Sequence, residues 1–151
     1  MSDWVVVFGS VILIGACVAV VAFATNTYRK SKTLADAAIT AEPGAPLELV
    51  CGMRIGLKMA SWPGGRFRLG PDGVAFDCSG RRLQAAWSKV LLVELVRPLI
   101  PPIGWGLRFN LSGTNSPTVV VGGLRRALAE RLVDICGARG APTDQHSHFV
   151  L

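Results

Sequence analysis

The sequence is short of the side chains that do chemistry. Its 151 residues include 2 histidines, 1 tyrosine and 10 carboxylates. Both histidines, His146 and His148, fall near the C-terminal end, where nothing in the pattern holds an imidazole against a nucleophile. Asp72 and Asp77 belong to turns, and Glu94 and Glu130 stand alone. No glycine-rich loop leads from a strand into a helix, so a nucleotide phosphate has no cradle. Cys17, Cys51, Cys78 and Cys136 form no C-x-x-C pair, which argues against a zinc or redox site and suits thiols in a reducing compartment. The His-x-His pair supplies only two ligands, too few for a closed metal site. No catalytic residue, cofactor or metal is expected, and the chain reads as a non-enzyme.

What the sequence has is apolar mass, gathered at the front. Residues 4–25, from Trp4 to Thr25, run without a charge. As a helix they extend about 33 Å, enough to cross a hydrocarbon core of about 30 Å. A cleaved signal peptide is the competing reading, and Ala22-Phe23-Ala24 resembles a small-x-small cleavage site. Against it, residues 1–3 carry no basic side chain and the apolar run is longer than a signal core. Tyr28, Arg29, Lys30 and Lys32 follow the run, while Asp3 precedes it. Basic residues stay cytoplasmic, so the expected orientation is N-terminus out, with the remainder inside.

Residues 26–46 read as a basic juxtamembrane segment and linker, broken at Glu42-Pro43-Gly44-Ala45-Pro46. From Leu47 to Val121 the apolar residues recur with period two between turns. Trp62-Pro63-Gly64-Gly65 reads as one turn, Gly70-Pro71-Asp72-Gly73 as the next, and Ser79-Gly80 as a third. The period then lengthens: Leu124, Leu128, Leu132 and Ile135 form one stripe of an amphipathic helix, with Gly137 as its stop. The fold expected for residues 47–137 is six or seven antiparallel strands in a small barrel or bent sandwich, closed by that helix. Residues 138–151 show no periodicity and read as a disordered tail.

The order of parts carries a resemblance. With G-R-F-R-L-G-P-D-G-V at 65–74, A-W-S-K-V at 86–90, G-L-R-F at 106–109 and the terminal L-x-x-x-L helix, residues 50–137 resemble the bacterial pleckstrin-homology-like domains. Such domains often follow membrane helices in high-GC Gram-positive bacteria. The resemblance implies a scaffold at a bacterial plasma membrane and names no activity.

Two sets of residues are candidates for binding. The first is for protein partners. Gly15, Ala19 and Ala22 share a helix face that another membrane helix could approach closely. In the loop Arg97–Trp105, Leu99, Ile100, Ile103 and Trp105 form an apolar surface that a partner subunit, the bilayer surface or the domain itself must cover. The second set is for anionic lipid. Lys58, Arg66 and Arg68 are similar to the Lys-x(n)-Arg/Lys-x-Arg pattern with which some pleckstrin-homology domains hold inositol phosphates, and solvated strand residues give the same pattern. Residues 26–151 carry 16 basic against 9 acidic side chains, which suits an anionic inner leaflet. Nucleic acid is not expected, because no aromatic stacking platform appears. The function expected is a membrane-anchored adapter, an accessory or assembly subunit of a larger inner-membrane complex, with lipid-headgroup binding as the alternative.

Overall fold

The computed structural model describes residues 3–42, 44–113 and 117–150, with side chains from Ser10 onward. It divides into two units, residues 1–33 and 34–151. The first unit is helical, part of α1 (Asp3–Thr40). Ser10–Thr40 is a candidate membrane span by length and composition, its most apolar 18-residue stretch having a mean hydropathy of 2.0. The hydroxyls of Thr25 and Thr27 donate back to the carbonyls of Val21 and Phe23, at 2.7 and 2.8 Å, so these polar groups are satisfied within the helix.

The second unit begins in the last turns of α1. Ala38 is fully buried there and Ala35 packs beside it, so the domain core starts before Leu47. The expected linker is therefore partly structural, and the Arg131 guanidinium donates to the Ala41 carbonyl at 2.9 Å. Among the described residues eight strands follow: β1 (Leu47–Ile55), β2 (Lys58–Leu69), β3 (Gly73–Cys78), β4 (Arg81–Ala86), β5 (Val90–Pro98), β6 (Trp105–Leu111), β7 (Val119–Leu124) and β8 (Thr143–Val150). They form one curled mixed sheet in the order β4-β3-β2-β1-β7-β6-β5-β8. Helix α2 (Arg126–Ala138) lies between β7 and β8 in sequence.

The strict alternation of β3, with Val74, Phe76 and Cys78 buried, shows why these segments become strands. One face of the sheet is apolar, and it needs the apolar stripe of α2 to exclude water. Leu128, Leu132 and Ile135 supply that stripe. At its centre Phe67, Phe76 and Phe109 pack together, with ring centroids 5.1 to 5.5 Å apart. Phe67 and Phe76 come from β2 and β3, and Phe109 from β6, so the cluster joins the two ends of the sheet.

Four sequence expectations need correction. Trp62-Pro63-Gly64-Gly65 does not separate strands; it lies inside β2, where the β1 register slips between Cys51 and Met53. The β1–β2 turn lies instead at Gly56-Leu57, where Gly56 takes φ 58°. Gly137 does not stop α2, which continues to Ala138, and Leu124 belongs to β7 rather than to the helix. Residues 143–150 are not a tail but β8, an eighth strand, parallel to β5. Its single buried apolar side chain, Val150, joins Val96 and Val120 on the outer face, too weak a pattern to announce a strand.

Arg139 ties this arrangement together from a position just after α2. Its guanidinium donates to the carbonyls of Gly70 (2.6 Å) and Ala45, and it lies 5.7 Å from the Trp87 ring. Trp87 Nε1 donates to the same Gly70 carbonyl at 3.1 Å. One side chain thus joins the segment before β1, the β2–β3 turn and the residue after β4. Arg139→Ala should lower unfolding free energy by about 2 kcal/mol, the scale of lost charged hydrogen bonds. Arg139→Lys should recover less than half of it, because an ammonium lacks the planar fork. Thermal melts of the full chain in detergent check both.

Candidate functional site

The loop between β5 and β6 is short, rich in proline and anchored at its middle. Pro102 is buried, and it rests in a notch made by two glycines. A Cβ on Gly52 would fall 2.4 Å from Pro102 Cβ, and one on Gly122 would fall 2.6 Å from the Pro102 carbonyl oxygen. Only glycine at both places lets the loop lie down on the outer face of β1 and β7. At the loop's start the Leu99 amide donates to the Val150 carbonyl at 2.9 Å. The flanking side chains are left outside: Leu99, Ile100 and Ile103 are 56%, 41% and 68% exposed.

Trp105 behaves differently from these three. It opens β6 and is half-buried, with the Arg126 and Arg97 guanidiniums 5.0 and 5.9 Å from its ring. The ring is therefore a platform for cations as well as an apolar surface. Sequence reasoning missed Phe149, which pairs in register with Arg97 and is 68% exposed. It lies one residue from Val150, which receives the Leu99 amide, so β8 adds an aromatic ring to the neighbourhood of the loop. Nothing in the sequence pattern signalled it, because residues 138–151 carry no apolar period.

Behind the loop the outer face is polar and tightly paired. Glu94 is buried, and Arg108 grips it with two hydrogen bonds of 2.7 Å, while Asn110 Nδ2 donates a third at 2.8 Å. The Arg108 hydrogen bonds hold the Glu94 carboxyl below its usual range despite burial. Asp144 on β8 stands opposite Glu94 in register. It is itself held low by His148 Nε2 and His146 Nδ1, each 3.0 Å from a carboxylate oxygen, and by the His146 amide. These bonds belong to the folding of β8. Among the described residues no group of three or more His, Cys, Asp or Glu side chains is arranged to hold a metal ion. Burial raises the thiols of Cys51 and Cys136 to about 12, so both stay protonated and unreactive at neutral pH.

The three cations of the lipid pattern are not brought together. Arg66 and Arg68 lie near the end of β2, opposite Val50 and Glu48, and Lys58 begins the strand opposite Ile55. The partners Val50 and Ile55 stand five positions apart on β1, about 17 Å along a strand. Arg68 also bonds Glu48 at 3.2 Å. Arg66 and Arg68 instead share the outer face with Asp77, Arg82 and Gln84. Gly15, Ala19 and Ala22 lie on α1 in the first unit, exposed, with open space where a Gly15 Cβ would stand.

No family model matches the chain, and no curated protein matches it. Among solved structures it is similar to one titled "Structure of the Spt16D Pob3N heterodimer", with 13% identity and a TM-score of 0.49. That likeness covers 69% of this chain and 56% of the other, so the chain spans little more than half the length of that neighbour.

The paired carboxylates give the outer face an acid limit. Both folded-state values are lowered, so their stabilisation is fully present above the ordinary carboxylate range and is lost as pH falls through the lowered values. Hydrogen-exchange protection factors of β8 should hold near neutrality and collapse between about pH 4 and 2. Those of α2 should persist further into acid. Glu94→Gln should weaken β8 protection already at neutral pH and flatten the acid dependence; an unchanged profile would contradict this account.

Proposed function

We propose that this chain is a non-enzymatic single-pass membrane adapter, an accessory or assembly subunit of a larger protein complex in a bacterial plasma membrane. In this reading α1 crosses the bilayer with its N-terminus outside, and the small-residue face of Gly15, Ala19 and Ala22 receives a helix of the complex. The sheet domain docks through the 97–105 loop. The observation that carries the reading is the anchored loop itself. Leu99, Ile100 and Ile103 are exposed although Pro102 beneath them is buried in a glycine notch. A loop that needed only to connect β5 and β6 could carry polar residues there at no cost. Exposed aliphatic side chains held on a fixed backbone suit a partner that covers them, since little ordering entropy is lost on binding. Trp105 and Phe149 extend this surface with the aromatic character typical of interface anchors.

The separation of Lys58 from Arg66 and Arg68 weighs against a single headgroup site built from these three, because phosphate needs convergent donors. The experiment is purification of the tagged full-length protein in mild detergent, with native gels and mass spectrometry of what co-migrates. A stoichiometric set of membrane subunits should accompany the wild type. Leu99→Ser with Ile103→Asn should reduce their recovery at least tenfold while the melting temperature of the chain moves little, since both side chains are on the surface. Trp105→Gln should act in the same direction. A protein that runs alone in several gentle detergents, or partners retained by the double variant, would sink the docking role of the loop.

A further inference from the structure

Strand β8 comes last in the chain and is lightly held. Of its residues only Val150 is buried, against Val96 and Val120. Its polar side chains mostly serve the strand itself. Asp144 meets the His146 amide and one ring nitrogen of each histidine, and all three bonds stay within β8. The ladder to β5 is buckled as well: Glu94 pairs with Asp144 and Val96 with His148, so residues 145–147 stand against Leu95 alone. Among the described residues, the one side-chain hydrogen bond that leaves the strand runs from Gln145 Nε2 to Asp134 Oδ1 on α2, at 2.5 Å and exposed.

The two ends of this strap are well defined. Arg139 is pinned to the Gly70 and Ala45 carbonyls, and the Ala141 amide donates to the Cys136 carbonyl at 3.1 Å, so the exit from α2 is fixed. Pro142 and Thr143 beyond it are exposed. The Val93 amide donates to the Pro142 carbonyl at 2.8 Å, and at the far end the Leu99 amide donates to the Val150 carbonyl at 2.9 Å. Opening the ladder between these bonds leaves β5 paired with β6. A segment with few buried apolar contacts and exposed backbone bonds opens at a lower free energy than the core. The edge it uncovers is the apolar strand β5, with Val96 and Val120 bare on the outer face.

We propose that β8 is a displaceable strap: it swings out at Pro142 while the other strands stay folded, and the β5 edge then receives the β8 of a second copy of this chain. Main-chain hydrogen bonds along β5 supply the seat. The fit of this occupant is the one the chain already makes, because every contact of β8 is equally open to the same strand from a neighbour. Since Val150 holds the Leu99 amide, release of the strap also frees the first residue after β5.

The test uses the full chain in zwitterionic liposomes and needs no partner subunit, so its outcome is separate from the docking role of the loop. Hydrogen exchange at neutral pH should release β8 and the Leu99 amide together, with protection at least about a hundredfold below that of β1 and β6. A fluorescein-labelled peptide of residues 142–150 should bind saturably. Val150→Asp in the chain should tighten that binding at least tenfold by weakening the resident strap. Joining Gln145→Cys to Asp134→Cys within one chain by a short bis-maleimide should abolish it. For exchange between copies, a Gln145→Cys chain is mixed with an Asp134→Cys chain of different mass, both carrying Cys17→Ser; the remaining thiols are buried. Bis-maleimide should yield a heterodimer, and adding Val150→Asp to the Gln145→Cys chain should lower its yield at least tenfold. Protection of β8 equal to that of β6 overturns the strap. Peptide binding that persists in the joined chain, or that a scrambled peptide matches, overturns the β5 edge as its seat. An absent heterodimer, or one indifferent to Val150→Asp, overturns exchange with a second copy.

Discussion

Three phenylalanines hold the sheet domain in its curl. Phe67 and Phe76 stack at 5.5 Å from neighbouring strands near one edge, and Phe109 meets both of them from β6. Rings in tilted and edge-on contact at this spacing add interaction energy beyond the area they bury. That contact draws strands from both halves of the sheet onto a common core, which α2 also joins. The curl fixes what the outer face must be. It is convex and wet, so every apolar residue left there needs its own cover or its own purpose.

That constraint makes the outer face informative. Around β5 and β6 the answer is pairing: Glu94 receives three hydrogen bonds, and β8 lies alongside to place Val150 over Val96 and Val120. Around β1 and β7 the answer is absence. Gly52 and Gly122 have no side chains to hide, and Pro102 fills the space they leave. The loop is thereby fixed in place, yet Leu99, Ile100 and Ile103 around it remain uncovered. The proposed docking role rests on this pairing of a seated backbone with aliphatic residues left in water.

Much of this was legible in the residues, and the failures have physical causes. Strict alternation announced β3 and the middle of β6, and Leu128, Leu132 and Ile135 of the expected stripe announced α2, because burial on one face imposes its period on the sequence. Trp62-Pro63-Gly64-Gly65 misled because turn-forming residues also suit an irregularity inside a long strand, and only the β1 register distinguishes the two. Strand β8 could not be read, since an edge strand with one buried side chain has almost no apolar pattern to show. The surface position of Leu99, Ile100 and Ile103 was legible in a proline-rich loop, although Pro98 still pairs with Val150 and the Leu99 amide bonds that residue. The convergence of Lys58 with Arg66 and Arg68 did not follow, because spacing along a chain fixes a distance only when the strand between is regular.

The two edges of the sheet are finished differently, and this difference bears on assembly. At one edge β8 is appended in parallel, carrying carboxylate and imidazole groups that bond one another, so its own polar groups are largely occupied. At the other edge β4 keeps a regular backbone and basic side chains. Charged side chains on an edge guard it against pairing with a like edge. The apolar loop lies by register near the β8 end, since Leu99 bonds Val150, while Arg81 and Arg82 stand at the far end of the strand order. The apolar loop and the basic edge strand thus lie at separate places on one sheet.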